Sequence, residues 1–414
     1  MPNSFITPTW VLKDVARVAV NSLKFANNVE RWYDDKYKAG GAKVGYTVSG
    51  RLPQRFRTTK GQAFQAQPIN DQTVPVTLTD QANIATSWSS ADATMIIEET
   101  RKRYVNPAGE QLANTIDFDG LWRMTPMVWK AVGTPGTTPT SMETYLLAGA
   151  RMTNVAAPLG GRVAILDPLA MVKLVVDTKG LFNPSGSIAE NYRTGQFGRN
   201  QLGIAEWYQD QNRYVHTTGS FTSSTPVVNG ANQTGTSLVT SGWASGATTI
   251  KAGDILTIAD VYEVNPQNYA STGNLQQFSV QQTVSDTTGA ITFTLQPPII
   301  TSGSLQTVTQ SPANSALIWV LGSTQNATTA VGPMTATSSP TSLLYQPEAF
   351  ILAMADLDAE LPGADVSRVS DNELNVSLRY VRQYTALTDQ KMARIDCLYG
   401  WREFRPDWAV RIQG

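Results

Sequence analysis

Acid–base and nucleophilic chemistry in this chain would have to rest on one histidine, His216, and one cysteine, Cys397. Histidine is the side chain that most often moves protons at neutral pH. His216 sits in Tyr-Val-His-Thr-Thr-Gly with no nucleophile motif beside it, and it reads as a plain junction residue. Cys397 lies in an alternating run with Ala393, Ile395, Tyr399 and Trp401, where it reads as a small buried hydrophobe and not a nucleophile. With so few nitrogen and sulfur donors, a transition-metal site would need carboxylates, and no Asp/Glu cluster has the spacing of ligands. Asp254-Ile-Leu-Thr-Ile-Ala-Asp260 offers oxygens but lacks the glycine and terminal glutamate of a calcium loop. Gly40-Gly41-Ala-Lys43 and Gly160-Gly161-Arg162 miss the phosphate-loop spacing and read as turns. No catalytic residue, cofactor or metal is expected.

The remaining chemistry is that of contact. Residues 1–60 hold eleven Lys/Arg and four acids, a net +7 on a chain whose formal charge is -1. Arg51, Arg55, Arg57 and Lys60 fall between two alternating runs, Val44/Tyr46/Val48 and Val74/Val76/Leu78. A nucleic-acid reader could carry such a stretch, but no recognised binding motif accompanies it. A projecting hairpin whose basic arm grips another subunit also explains it. That second reading accounts for the length of the loop, which is unusual inside a compact domain. Glu98-Glu99-Thr100-Arg101-Lys102-Arg103 is a second mixed-charge run, either a solvated face or a subunit contact. Arg51, Arg55, Arg57, Lys60, Glu98, Glu99, Arg101 and Arg103 are therefore the candidate intersubunit residues.

These side chains need elements to hold them. A chain of 414 residues can bury a sizeable core, usually in more than one domain. Charged residues make up 16%, below the roughly 25% that is typical. One cysteine excludes an internal disulfide and fits a reducing compartment. The opening Met-Pro-Asn-Ser-Phe-Ile-Thr-Pro-Thr-Trp has no positive region followed by an apolar run, so it does not read as a signal peptide. The longest apolar runs fall short of a membrane span. A soluble protein made inside a cell is expected.

Composition changes abruptly along the chain. From Thr217 to Tyr345 the charges are Lys251, Asp254, Asp260, Glu263 and Asp286 alone, among Thr, Ser, Gly, Gln, Asn and Val. Short runs of period two, such as Asp254–Ile258, Phe278–Val280 and Ala290–Leu295, alternate with turn signals at Lys251–Asp254, Asn265-Pro266, Thr272-Gly273-Asn274 and Thr288-Gly289. This predicts an antiparallel barrel or sandwich inserted into a more charged host.

The host mixes helix and strand. Thr7-Pro8 caps an amphipathic helix reaching about Val29–Trp32. A second helix starts at Asn106-Pro107 and runs past Leu112 and Ile116 toward Trp122, with Gly109 and Gly120 against it. A turn covers Thr134–Pro139. Thr140-Ser-Met-Glu143 and Ser187-Ile-Ala-Glu190 are capping boxes. Arg162–Leu166 is a buried strand, and Asp167-Pro168 caps a helix carrying Leu169, Val172 and Val176. Gly203–Trp207 is a strand leading to the insert. Tyr345–Leu357 is apolar and helix-like, and the chain ends in strands through Val376, Leu378, Tyr380 and Ala393–Trp401.

Lys251-Ala-Gly-Asp-Ile-Leu-Thr-Ile-Ala-Asp-Val-Tyr-Glu-Val-Asn-Pro266, Leu275-Gln-Gln-Phe-Ser-Val280, Leu343-Leu-Tyr-Gln-Pro-Glu-Ala-Phe350 and Arg394-Ile-Asp-Cys-Leu-Tyr-Gly-Trp401 with Arg405-Pro406 carry a family likeness. In these motifs and in the order of its parts, the chain resembles the coat proteins of short-tailed double-stranded-DNA phages. The resemblance implies an α+β fold of the HK-97 type with an inserted antiparallel β-barrel. It implies an N-terminal arm over 1–42, an extended loop over 43–100 and a peripheral domain over 101–131 and 373–414. It further implies an axial domain over 132–216 and 341–372 and the insert over 217–340. The expected function is a major capsid protein that assembles with itself as hexamers and pentamers. The expected partners are scaffolding and portal proteins, with double-stranded DNA near the shell non-specifically and no membrane. The expected location is the virion capsid, assembled in the cytoplasm of a host bacterium. The rival readings are a tail or decoration protein, a secreted β-rich adhesin and an enzyme. The lack of an export signal counts against the adhesin, and the lone histidine counts against the enzyme.

Overall fold

The computed structural model describes residues 23–33, 47–58, 60–62, 66–67, 69, 72–89, 106–177, 202–323, 331–358, 361–371 and 376–413. It divides into two compact units. The first comprises Met1–Leu52, Thr73–Leu121 and Phe350–Phe404, and the second Pro53–Gln72, Trp122–Ala349 and Arg405–Gly414.

The first unit is built on one long strand, Gln390–Glu403. Asp80–Ser89 pairs along its N-terminal portion, with Val376–Thr385 and then Asp365–Asp371 on the opposite edge, and Phe350–Ala355 pairs with its C-terminal end. The alternation read from Ala393 to Trp401 is real, and Cys397 is buried in it. Asp396, on the opposite face, is also buried and is neutralised by Arg379 at 2.6 Å and by Arg394.

Tyr345–Leu357, expected to be helical, is instead a strand Ser338–Tyr345, a 3-10 turn Pro347–Ala349 and a strand Phe350–Ala355. Every residue of Phe350–Ala355 is buried, between Glu30–Tyr33 in parallel and Gln390–Glu403 in antiparallel pairing. A run apolar at every position fits a strand covered on both faces as well as it fits a helix, and pairing decides.

The N-terminal helix expected to reach Val29–Trp32 lies outside the described residues up to residue 22. From there the chain forms a 3-10 turn at Ala26–Asn28 and then the strand Glu30–Tyr33. The turn is anchored by helix α1, Asn106–Met124. The buried carboxylate of Asp117 on α1 accepts from the backbone N–H groups of Lys24, Phe25 and Ala26 at 2.6, 3.2 and 2.9 Å. Phe25 then stacks on Trp401 with ring centroids 5.0 Å apart. Gly120, which weakened the expectation of a helix, is required by this packing: a Cβ there would lie 2.6 Å from the Trp401 ring and 2.8 Å from Phe25.

Burial raises the Cys397 thiol to about 12 from an ordinary 9.0. Between those values the unfolded chain releases a proton that the folded chain keeps, so this group's contribution to stability falls as pH rises. Its share is about 1.4 kcal/mol per pH unit. Urea unfolding at pH 8, 9.5 and 10.5 should therefore show a shallower alkaline loss in Cys397→Ala than in the parent, and parallel losses would contradict the burial.

In the second unit a sheet runs Ala131–Val132, Ala409–Ile412, Ser338–Tyr345, Val163–Leu166, Glu206–Gln209, with Tyr214–Thr217 pairing the other half of Ser338–Tyr345. Helices α2 (Met142–Asn154) and α3 (Pro168–Asp177) cover one face, packing Tyr145, Ala148, Met152, Met171 and Leu174 on Ala164, Leu166, Leu344, Val410 and Ile412. The N-cap of α2 is Ser141, whose Oγ accepts from Glu143 N at 3.1 Å, one residue later than the Thr140 expected. The register moved because Asp177 on α3 accepts from Met142 N at 2.8 Å. Asp167 caps α3 as expected, accepting from Leu169 N at 3.0 Å. The buried face of α3 is Ala170, Met171 and Leu174, whereas Leu169, Val172 and Val176 are exposed. The Ser187–Glu190 capping box lies outside the described residues.

Residues 221–334 of the same unit form their own apolar cluster, centred on Leu238, Leu256, Phe278, Phe293, Ile318 and Val331. The sheet around it runs Ile318–Val320, Ile255–Val264, Ser271–Val280, Ala290–Ile299, Gly235–Ser241, Val227–Val228. Its two edges approach through the bridge Val227↔Leu317, where Val228 N donates to Ala316 O and Ile318 N to Pro226 O. The sheet is thus nearly closed. Thr272-Gly273-Asn274, expected as a turn, lies within Ser271–Val280 at the shift of register between Tyr262 and Val264, with Gly273 at φ +79°. Such an irregularity needs the backbone freedom that also marks a turn. The actual turn is the preceding one, where Asn265 Oδ1 accepts from Gln267 N and Asn268 N.

Candidate assembly loop and buried polar joint

The strand Tyr214–Thr217 buries Tyr214 and His216 on one face by its period of two. The turn Lys251–Asp254 presents Asp254 at the entry to Ile255–Val264. His216 Nε2 lies 2.8 Å from Asp254 Oδ1, and Tyr214 OH lies 3.2 Å from His216 Nδ1. A carboxylate oxygen accepts, so Nε2 donates to Asp254, and the hydroxyl proton of Tyr214 is within reach of Nδ1. Burial raises the Tyr214 phenol, which keeps that proton in place. The second oxygen of Asp254 accepts from Gly219 N at 2.9 Å and Lys251 N at 2.8 Å. Both oxygens are committed, so the stretch read as a poor calcium loop uses Asp254 as an internal acceptor. His216 is more than a junction residue: it hydrogen-bonds the strand Tyr214–Thr217 to the turn that opens Ile255–Val264.

Beside it lies Arg411, fully buried on the last strand. Its Nε donates to Val128 O and its Nη1 to Gly253 O, both at 2.7 Å, and its Nη2 to Ser279 Oγ at 3.4 Å. Burial pulls its pKa down to about 10, with Tyr214 and Asp254 opposing, so it stays a cation at neutral pH. Lys130 is buried too. Its Nζ meets Glu263 Oε1 at 3.3 Å and donates to Asp407 O at 2.9 Å. Burial lowers its pKa and the Glu263 charge opposes this. Gln277 extends a strand edge with its side chain, accepting from Ala131 N at 2.8 Å and donating to Ala131 O at 3.0 Å. Ser279 Oγ donates to Pro126 O at 2.8 Å. Residues 126–131, 216 and 411 are thus fixed to residues 253–279 by charged and polar groups removed from water. Such groups are costly to bury unless each has a partner.

The loop between the paired strands Thr47–Arg51 and Thr73–Thr77 carries the basic candidates. Arg51 ends the first strand, exposed, and Lys60 is exposed. Arg55 Nη2 lies 3.1 Å from Asp407 Oδ2 of the same chain. The Arg57 guanidinium lies 5.0 Å from the centre of the Tyr269 ring, and Tyr269 OH lies 3.4 Å from Phe56 O. Glu98, Glu99, Arg101 and Arg103 lie outside the described residues. Reading the sequence missed Asp407 and Tyr269 as partners. The one available signal was Tyr269 itself, an aromatic in a turn rich in Asn and Gln.

Among the described residues, no group of three or more His, Cys, Asp or Glu is placed to hold a metal ion, and no helix is long and apolar enough to cross a membrane. The buried polar groups named above fix parts of the same unit to one another, and the basic loop is held by surface contacts. The family model of the P22 coat protein, gene protein 5, matches residues 7–414, and the chain belongs to that family. It is a major capsid protein that forms the shell of a phage virion, from a structural family and not an enzyme family. Among solved structures, the chain is similar to the mature capsid of bacteriophage PhiM1 at 10% identity, covering 94% of this chain and 86% of that one, TM-score 0.44. It is similar to Mycobacterium phage Che8 at 13% identity, covering 94% and 90%, TM-score 0.43. The CUS-3 coat protein I-domain is similar at 24% identity, covering 24% of this chain and 96% of that domain, TM-score 0.19. Among curated proteins none matches the chain.

Proposed function

We propose that this coat protein is an HK-97-type subunit stabilised by an inserted β-barrel. Its anatomy is an arm over residues 1–42, an extended loop over 43–100, and a peripheral domain over 101–131 and 373–414. An axial domain covers 132–216 and 341–372, and the barrel covers 217–340. The observation that carries the reading is the apolar cluster drawn from residues 221–334 alone, inside a nearly closed sheet. A segment with its own core has what folding alone requires. The polar joint then orients the barrel on the host. Arg51, Arg55, Arg57 and Lys60 act in contacts between subunits, as do Glu98, Glu99, Arg101 and Arg103. Subunits gather as hexamers and pentamers in the cytoplasm of the host bacterium, with scaffolding and portal partners. Packaged DNA meets a near-neutral chain and is not clamped.

Residues 217–340 expressed alone should give a β-type circular dichroism spectrum and a single cooperative melt. A disordered product would overturn the separate barrel. The isolated barrel should also be less stable than within the chain, because Asp254, Glu263 and Gln277 lose His216, Lys130 and Ala131.

A further inference from the structure

Resting on the reading of the loop as an intersubunit arm, we propose that residues 53–58, with Gln67 and Ile69, form an exchangeable clasp. The clasp closes on Asp407 and Tyr269 of its own subunit before assembly, and on the same two residues of a neighbouring copy in the shell.

Three observations carry it. First, the clasp is preformed. Arg57 N donates to Gln67 Oε1 at 2.9 Å and Gln67 Nε2 donates back to Arg57 O, which ties the loop across its base. Its receptor is also fixed. Tyr269 sits at φ +57°, an uncommon conformation for a non-glycine residue, and its hydroxyl donates to Ser304 O at 3.2 Å. A strained residue that presents an aromatic ring at a hairpin end is a pointer to recognition. Second, the closing contacts are weak ones. The Arg55–Asp407 pair is partly exposed, with side-chain exposures of 37% and 17%, and exposed pairs contribute little net stability. Third, the closed loop leaves two large apolar side chains in water, Phe56 at 64% and Ile69 at 76% exposure.

These features favour exchange over permanent closure. When a loop leaves its own receptor for an identical one, the polar contacts are lost and remade, so their sum hardly changes. In a free subunit the tethered receptor wins through its high local concentration. In a growing shell a neighbour's receptor is tethered nearby as well. Burial of Phe56 and Ile69 between subunits, which the closed form lacks, then tips the balance. The closed form hides the receptor and so restrains assembly until a neighbour is in place.

The test uses a short bis-maleimide and single cysteines. Cys397 is buried, with its thiol raised to about 12, and stays out of the reaction. Subunits carrying Arg55→Cys and Asp407→Cys together should bridge within one chain, with no dimer on a denaturing gel, and should then lose assembly. Shells co-assembled from Arg55→Cys subunits and Asp407→Cys subunits should give covalent coat–coat dimers on treatment. Bridged subunits that assemble like unbridged ones, or mixed shells that give no dimer, overturn the exchange. If those substitutions alone stop assembly, Arg57→Cys with Tyr269→Cys repeats the test on the second contact. Charge reversal of Arg51, Arg55 and Arg57 separates the two readings. Loss of shells without dimers in the mixed shells leaves the arm and removes the exchange, whereas normal shells remove both.

Discussion

Glu263→Gln is expected to lower the stability of the subunit by about 3–5 kcal/mol, the range for breaking a buried ion pair by removing one partner. Lys130 and Glu263 are both buried, and their charged atoms lie 3.3 Å apart. The substitution keeps the shape and an acceptor oxygen but removes the charge, so the buried Lys130 ammonium keeps neutral partners, among them the Asp407 carbonyl at 2.9 Å, and loses the carboxylate that faced it. The sign of the pH response follows. Burial lowers the Lys130 pKa below the ordinary 10.5, and losing Glu263 removes its largest opposing charge. Between the folded and unfolded values the unfolded state binds more protons, so stability rises with pH. The penalty of Glu263→Gln should therefore shrink as pH climbs toward 10. A companion variant, Lys130→Met with Glu263→Leu, should recover most of the loss, since paired apolar replacements of buried ion pairs are often neutral. Urea unfolding followed by tryptophan fluorescence checks all three. A Glu263→Gln subunit as stable as the parent would mean that the joint does not hold the nearly closed sheet in place.

Reversing the charge at Arg51, Arg55 and Arg57 together should leave the subunit folded and abolish shells. Arg55 meets Asp407 while partly exposed, and such pairs contribute roughly 0–1 kcal/mol each. Circular dichroism and melting should thus match the parent closely. Assembly repeats every contact once per subunit, so small losses compound. A loss of about 1.4 kcal/mol per subunit raises the concentration needed for assembly about tenfold. Sedimentation should show subunits where the parent gives particles. Normal shells from the triple variant would overturn the proposed role of these arginines between subunits.

Much of the architecture is legible in the residues because period and composition act locally. Pro107 opens α1, Asp167 caps α3, and the charge-poor stretch after Thr217 forms the nearly closed sheet. Failures come where a distant partner decides. Phe350–Ala355 is apolar at every position, so its period is silent, and two strands far along the chain make it a strand. Thr140 heads the capping box in the sequence, yet Ser141 caps α2, where Asp177 from a later helix accepts from Met142 N. Gly273 reads as a turn because an irregularity inside a strand asks for the same freedom. The joint was the least legible part. His216 and Asp254 are 38 residues apart, and Arg55 and Asp407 are 352 apart. No spacing rule connects such pairs, although a lone histidine and a lone basic stretch could be noticed. Arg411 reads as an ordinary charge near the chain end, and only its burial reveals its role.

The central claim is that this chain closes into a shell. Negative-stain electron microscopy of the purified protein, at rising concentration and with lysate partners added, tests it directly. Closed shells or rings of five and six subunits are the expected result. A protein that stays monomeric at high concentration, even with those partners present, would contradict it.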